Sequence, residues 1–211
     1  MVTFITATLT EEWPAALEVG CAGRALEGES RSGDLAVFAP FAGGGLVAAI
    51  DGLGHGDAAA DASDAAAEIL RAHAGEELRS LFERCHRALR RTRGVVMTVA
   101  SFDVAGGRMT WTGVGNVEAR LLRAADGRGA RHEGPTILGG VVGYNLPKAI
   151  RTTEVVLQPG DAVAFATDGV AADYSAVLDP YLAPQAQAER VLREHGKGTD
   201  DALAVVVRWR G

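Results

Sequence analysis

The segment LVAAIDGLGHGDAAADAS, residues 46–63, ties the chain most closely to one kind of fold. An apolar run that reads as a buried strand ends on Asp51, turns through glycines and becomes alanine-rich and helical. A carboxylate leaving the end of a buried strand is expensive unless it is paired, hydrogen-bonded or bound to a metal. The glycine after it lets the backbone turn and frees its carbonyl for close approach to a ligand.

The flanking sequence supplies the elements around this turn. LAVFAPFAGGGLVAAID reads as two strands around a glycine turn, and residues 2–8 and 16–22 as two earlier strands with a turn at 11–14. From Asp57 to about Ala74 the pattern is helical, with Ala58, Ala62, Ala65, Ile69 and Ala72 recurring at three- and four-residue spacing. EELRSLFERCHRALRRTR gives a second amphipathic helix with Leu78, Leu81, Phe82, Cys85 and Leu89 on one face. GVVMTVASFDV, RMTWTGVGNVEARLLR and AIRTTEVVLQPGDAVAFATDG are β-branched or alternating. PQAQAERVLREHG makes a third helix, and DALAVVVRWR closes the chain on a strand. The tally is α+β, and a sandwich of two sheets with helices outside satisfies every apolar face.

At 211 residues, 47% hydrophobic and 23% charged, the balance is that of a soluble globular protein, read as one domain over residues 1–211. A net charge of −6 with no basic block gives no support to a nucleic-acid or anionic-membrane partner. No apolar run approaches the ~18 residues of a membrane span, and MVTFITATLTEEWP lacks signal-peptide patterning. Two cysteines without a C-x-x-C pair suit a reduced compartment, so the expected location is cytoplasmic.

Asp34 in S-G-D, Asp51 in I-D-G, Asp168 in T-D-G and Asp200 in T-D-D each stand beside glycine or a small residue at one end of an apolar strand. Hard divalent cations take oxygen ligands of this kind. Asp-Gly is also ordinary turn chemistry, and it accounts for Asp126–Gly127. Spacing alone leaves both readings open.

As a set, SGD at 32–34, DGLGHG at 51–56, TDG at 167–169 and TDDALAVVV at 199–207 resemble the metal-dependent serine/threonine phosphatases of the PPM/PP2C type. TGVGNVEARLLR, the G-P-T-I-L-G-G loop and LQPGDAVAFATDG are similar to their SpoIIE-like branch, and within it to the stand-alone stressosome phosphatases of the RsbX type. The resemblance implies a four-layer α-β-β-α sandwich, with two mainly antiparallel sheets carrying two divalent metal ions, Mn²⁺ or Mg²⁺, at one edge. It implies that Asp51 bridges the metals and the Gly52 carbonyl holds one of them. Asp168 and Asp200 would hold the other, and Asp34 would bind metal-bound water. The implied reaction is attack of a metal-bridging hydroxide on phosphoserine or phosphothreonine. The implied substrates are phosphorylated STAS-domain proteins of a bacterial stressosome-type complex. Two alternatives stand beside it: a phosphatase for an anti-sigma-factor antagonist outside a stressosome, and a catalytically silent phosphatase-like binding module.

The chain departs from the family pattern in three places. The histidine expected two residues after the bridging aspartate is replaced by Leu53, which leaves His55 as the candidate acid. Asn116 stands where an aspartate helps bind a third metal, and Gly33 where an acidic residue precedes the SGD aspartate. Looser metal binding follows from both. Arg24 and Arg31 are the candidate phosphate partners. Cys85 to Arg91 satisfies the C-x5-R formula of cysteine phosphatases but falls inside a helix on its apolar face, so it reads as core. Asp57, Asp61 and Asp64 share a helical face that reads as solvated. The glycine-rich EGPTILGGVVGYNLPKAI reads as a connection between strands that could face a substrate.

Overall fold

The computed structural model describes residues 12–124 and 133–211. The strand expected over 2–8 and the Asp126–Gly127 turn lie outside them. In chain order the elements are β1 (Leu17–Arg24), β2 (Asp34–Phe41), β3 (Gly44–Gly52), α1 (Asp57–Ala72), α2 (Leu78–Ala88), β4 (Val95–Asp103), β5 (Arg108–Val114) and β6 (Glu118–Leu122). There follow β7 (Ile137–Leu138), β8 (Thr153–Val156), β9 (Ala162–Ala166), α3 (Pro184–His195) and β10 (Ala202–Trp209). Short 3₁₀ turns cover Leu89–Arg91 and Ala172–Val177.

The strands form two sheets. One runs β1-β10-β9-β6, and the other runs β2-β3-β4-β5, with β7 and β8 both pairing β5. All pairings are antiparallel except β5 with β7. Alternation along each strand sorts side chains into three apolar layers. In β3, Leu46, Ala48 and Ile50 meet α1 and α2, while Val47 and Ala49 enter the space between the sheets. In β10, Leu203, Val205 and Val207 enter that same space, while Ala202, Ala204 and Val206 meet α3. Both strands are covered on both faces, which is why each reads as a continuous apolar run. The result is the α-β-β-α sandwich. Among the described residues no helix is long and apolar enough to cross a membrane.

Two details differ from the sequence pattern. The buried residues of α1 are Ala59, Ala60, Ala62, Ser63, Ala66, Ala67 and Leu70, with Ala58 and Ala72 exposed. Alanine on every side of a helix defines no apolar face, and the side opposite the exposed Asp57, Asp61 and Asp64 is the one that packs. RMTWTGVGNVEARLLR is divided between sheets, because the chain leaves β5 at Gly115 and enters β6 of the other sheet. A Cβ at Gly115, where φ is 107°, would also stand 2.1 Å from a Val96 methyl. Only glycine makes that crossing.

Helix α3 lies directly on the edge strand β1. The Gln185 side chain accepts a hydrogen bond from Cys21 N (3.1 Å) and donates one to Cys21 O (3.0 Å), so an amide occupies the edge as a strand would. A Cβ at Gly20 would stand 2.2 Å from Gln185 N. Gly20→Ala is therefore expected to destabilise the protein by about 1–3 kcal/mol, read from its denaturant midpoint. An unchanged midpoint would show that α3 does not rest on β1 there.

Candidate metal centre

The β2–β3 register places Asp34 opposite Asp51, so two carboxylates meet at one end of the larger sheet. The smaller sheet ends at the same place. Thr167, which follows β9, donates from Oγ1 to Asp34 Oδ2 at 2.6 Å, and the same Thr167 Oγ1 accepts the Leu203 N–H at 2.9 Å. Asp168 and Asp200 therefore reach the site from the smaller sheet, and Asp34 and Asp51 from the larger.

The two adjacent acids of T-D-D separate in role. Asp201 is buried and accepts backbone N–H groups of Leu26 and Gly33, both at 2.7 Å, which fastens the β1–β2 connection over the end of β10. Asp200 turns outward and accepts the Asp201 N–H at 2.9 Å. Close packing fixes the glycines nearby. A Cβ at Gly169 would stand 1.8 Å from Asp201 O, and one at Gly33 would stand 2.8 Å from the Ala59 methyl and 3.2 Å from Asp201 Oδ2. An acidic side chain at position 33 is excluded by both space and charge. The Gly33 carbonyl accepts Ser63 Oγ at 2.5 Å and Gly52 N at 3.0 Å, which joins α1 to the turn after Asp51.

Asp51, Asp168 and Asp200 line one open cleft of about 400 Å³, together with His55, Asn116 and, from the β7–β8 connection, Gly140 and Val141. Asp34 lies behind it, only 3% exposed. Among the described residues no lysine or arginine lines the cleft. The electrostatic consequence is direct. Burial first, then the charges of Asp168, Asp200 and Asp201, push the Asp51 carboxyl up to about 7. Burial and then Asp51 hold Asp34 well above the usual carboxylate range, against the pull of the Thr167 hydrogen bond. No three Asp, Glu, His or Cys side chains among the described residues are gathered tightly enough to make a finished cation cage. The donors present, carboxylates converging from two sheets, nonetheless fit hard divalent cations. Their uncompensated charge is what such cations would neutralise.

The other candidates fall at varied distances from this cleft. His55 stands on its rim, with Nδ1 2.5 Å from Glu29 Oε1. Asn116 donates from Nδ2 to Asp168 Oδ2 at 2.9 Å, so the amide acts as a hydrogen-bond donor to the acid beside it. Arg31 pairs with Asp61 (2.7 Å) and Asp64 (2.8 Å) on the exposed face of α1. Arg24 lies against the loop after α3, its Nη2 buried without a hydrogen-bond partner among the described residues. The arginine the fold brings near the cleft is Arg93, which lies outside its lining and whose Nη1 would stand 2.6 Å from a Cβ at the lining residue Gly54. Sequence reasoning passed over Arg93, which lies some forty positions from Gly54 along the chain. It also gave no role to Thr167 and Asp201, although both sit inside quoted motifs. Cys85 faces the core of α2, and burial pushes its thiol up to about 12, which removes the thiolate that cysteine-phosphatase chemistry needs.

A carboxyl raised in the fold keeps its proton to higher pH than in the unfolded chain. Between the unfolded value near 4 and about 7 the native state binds the extra proton, so this group's contribution to stability falls as pH rises through that window. Above it the full penalty remains, of order 2–4 kcal/mol. Metal-free Asp51→Asn is therefore expected to melt several degrees above metal-free wild type at pH 8, with the gap closing toward pH 5. Equal melting at both pH values would refute this charge balance.

Comparison with known proteins follows the same lines. The profile of the Stage II sporulation protein E (SpoIIE) family matches residues 42–210. Phosphoserine phosphatase RsbX of Bacillus subtilis (strain 168) is 28% identical over 125 residues, 59% of this chain and 60% of that protein. The alignment thus spans less than two thirds of that relative's length. A chain from a solved structure of the bacterial stressosome, a modular system adapted to control secondary messenger signaling, superposes with a TM-score of 0.83 at 29% identity, over 91% of this chain and 99% of that one. RsbX in complex with magnesium superposes with a TM-score of 0.81 at 20% identity, over 98% and 99% of the two chains, a likeness of fold. The chain belongs to the SpoIIE family and has the PP2C-like phosphatase fold.

Proposed function

We propose that the protein is a protein serine/threonine phosphatase dependent on two divalent cations, Mn²⁺ or Mg²⁺, and that residues 1–211 form one catalytic domain. The observation that carries this reading is a cleft edged by three carboxylates from two sheets and lined by no basic side chain among the described residues. A phosphate dianion is repelled from such a cleft until cations neutralise it. Asp51, the Gly52 carbonyl, Asp168 and Asp200 would hold the ions, with Asp34 behind them. When bound, divalent cations supply Lewis acidity toward the phosphoryl oxygens and lower the pKa of water to about 7.

The chain's own side chains position and assist. Thr167 fixes the Asp34 carboxylate, and Asn116 fixes one oxygen of Asp168, so neither acid is free to rotate away. His55, oriented by Glu29, is the group on the rim that can pass a proton to a departing seryl or threonyl oxygen. Arg93, beside Gly54 and just outside the cleft lining, is placed to meet a phosphoryl oxygen that reaches the cleft edge. The likeness to RsbX and to a stressosome chain supports phosphorylated STAS-domain proteins as the substrates.

Hydrolysis of p-nitrophenyl phosphate and of phosphorylated STAS proteins is expected with Mn²⁺ and absent with excess EDTA. Asp51→Asn is expected to remain folded and inactive, and full activity in that variant would overturn the assignment. Arg93→Ala is expected to raise KM about three- to tenfold through loss of one exposed charge-assisted contact. An unchanged KM would remove Arg93 from the phosphate site.

A further inference from the structure

The end of α2 and the turn after it read R-A-L-R-R-T-R over 87–93, four arginines in seven residues, in a chain of net charge −6. All four are exposed, and among the described residues none of them pairs with a carboxylate. Arg31, Arg79, Arg84, Arg108 and Arg190, by contrast, each face an acid. Arg87 stands three and four positions before Arg90 and Arg91, so their like charges repel along the helical turn. The negative end of α2 favours Arg87, but that attraction fades within the last turn and leaves the arginines beyond it uncompensated. The surface is of one sign, and it selects an anionic partner.

This segment is fixed in place beside the metal cleft. Leu89 is buried, and its carbonyl accepts both the Thr92 N–H (2.9 Å) and Thr92 Oγ1 (2.8 Å), while that hydroxyl oxygen accepts the Gly94 N–H (3.0 Å). The Gly94 carbonyl then accepts the N–H of Leu53 (3.1 Å), which lines the cleft. A Cβ at Gly94 would stand 2.8 Å from Val141 Cγ1, and Val141 lines the cleft too. Arg93 lies beside Gly54, and Arg90 and Arg91 follow within about 11 Å even along fully extended backbone. The neighbouring turn, bridged to Val95 through Val142, presents Tyr144 at 86% exposure. Tyrosine and arginine together are the side chains on which interfaces concentrate their binding energy. An acidic segment is repelled from the carboxylate-lined cleft itself and finds its complement on this rim. A phosphorylated residue in the cleft brings the polypeptide attached to it along the same edge.

We infer that Arg87, Arg90, Arg91 and Arg93 dock an acidic segment of the phosphoprotein substrate, a few positions away from its phosphorylated residue. The inference rests on the phosphatase reading. Its test uses the Mn²⁺-loaded full chain and phosphoserine peptides with alanine flanks, in which a run of four glutamates begins three residues before or three residues after the phosphoserine, a span of about 10 Å. On one side the glutamates are expected to raise kcat/KM about tenfold over the all-alanine peptide, chiefly through KM, and the gain is expected to vanish in high salt. In the triple variant Arg87→Gln, Arg90→Gln, Arg91→Gln, which keeps Arg93, that ratio is expected to fall to about two or less, with hydrolysis of p-nitrophenyl phosphate unchanged. The readout is a ratio within each variant, so a general loss of activity cancels. A wild-type ratio near one on both sides, or a ratio preserved in the triple variant or in high salt, overturns the docking surface. Ratios near one, together with binding of phosphatidylserine vesicles by the wild type and not by the triple variant, overturn it in favour of a membrane surface. Absence of hydrolysis of every peptide and of p-nitrophenyl phosphate by the wild type overturns the phosphatase reading beneath it.

Discussion

The hydrogen bond from Thr167 to Asp34 joins the two sheets at the end where the chemistry would occur. Its donor immediately precedes Asp168, and its acceptor stands in register with Asp51. Leu203 N closes on the same threonine oxygen, which sets the start of β10 and hence Asp200 and Asp201 just before it. One short contact between buried groups thus fixes the mutual placement of all the acids, although they come from four separate strand ends. The sandwich core alone would let the two sheets slide, since apolar contact is non-directional. The polar bond supplies the register between them.

Convergence of so many carboxylates opposes folding, and the rest of the structure offsets it. Three apolar layers contribute the stabilisation, and every acid that can be neutralised locally is bonded to something. Asp201 takes two backbone donors, Asp34 takes a hydroxyl and Asp168 takes an amide. Asp51 has no such neutral partner among these bonds, and it is the acid that burial and its neighbours push to about 7. The residual repulsion is therefore concentrated on the group that stands between the two sheets' carboxylates, where a cation would relieve it most.

Much of this was legible in sequence because it depends on strong local signals. Apolar strands ending in Asp-Gly, the switch from period two to helical spacing and the TDG and T-D-D pieces are short-range patterns, and they led to the sandwich and to the acids now found around one cleft. What was illegible depends on partners distant in sequence. The alanine-rich helix carries no contrast by which its buried face could be read. The division of RMTWTGVGNVEARLLR between sheets is signalled only by Gly115, which looks like any turn glycine until Val96 is placed against it. Thr167, Asp201 and Arg93 acquire their roles from Asp34, the Gly33 backbone and Gly54, none of them near in the chain.

The departures from the family pattern obey the same electrostatic logic. Gly33 and Asn116 are the positions at which the resemblance implies carboxylates. At 33 the Asp201 carboxylate and the Ala59 methyl leave no room for an acid, and the backbone N–H there is already given to Asp201. At 116 a carboxylate would add repulsion to a cleft that already raises Asp51, whereas the amide donates a hydrogen bond to Asp168. Both changes reduce negative charge beside the ions the site would hold. Fewer anionic ligands mean weaker cation affinity, and they also mean a smaller penalty while the site is empty. Weaker cation affinity and a smaller penalty for the empty site would then follow together from these two positions, with hydrogen bonds taking part of the role a further cation would have.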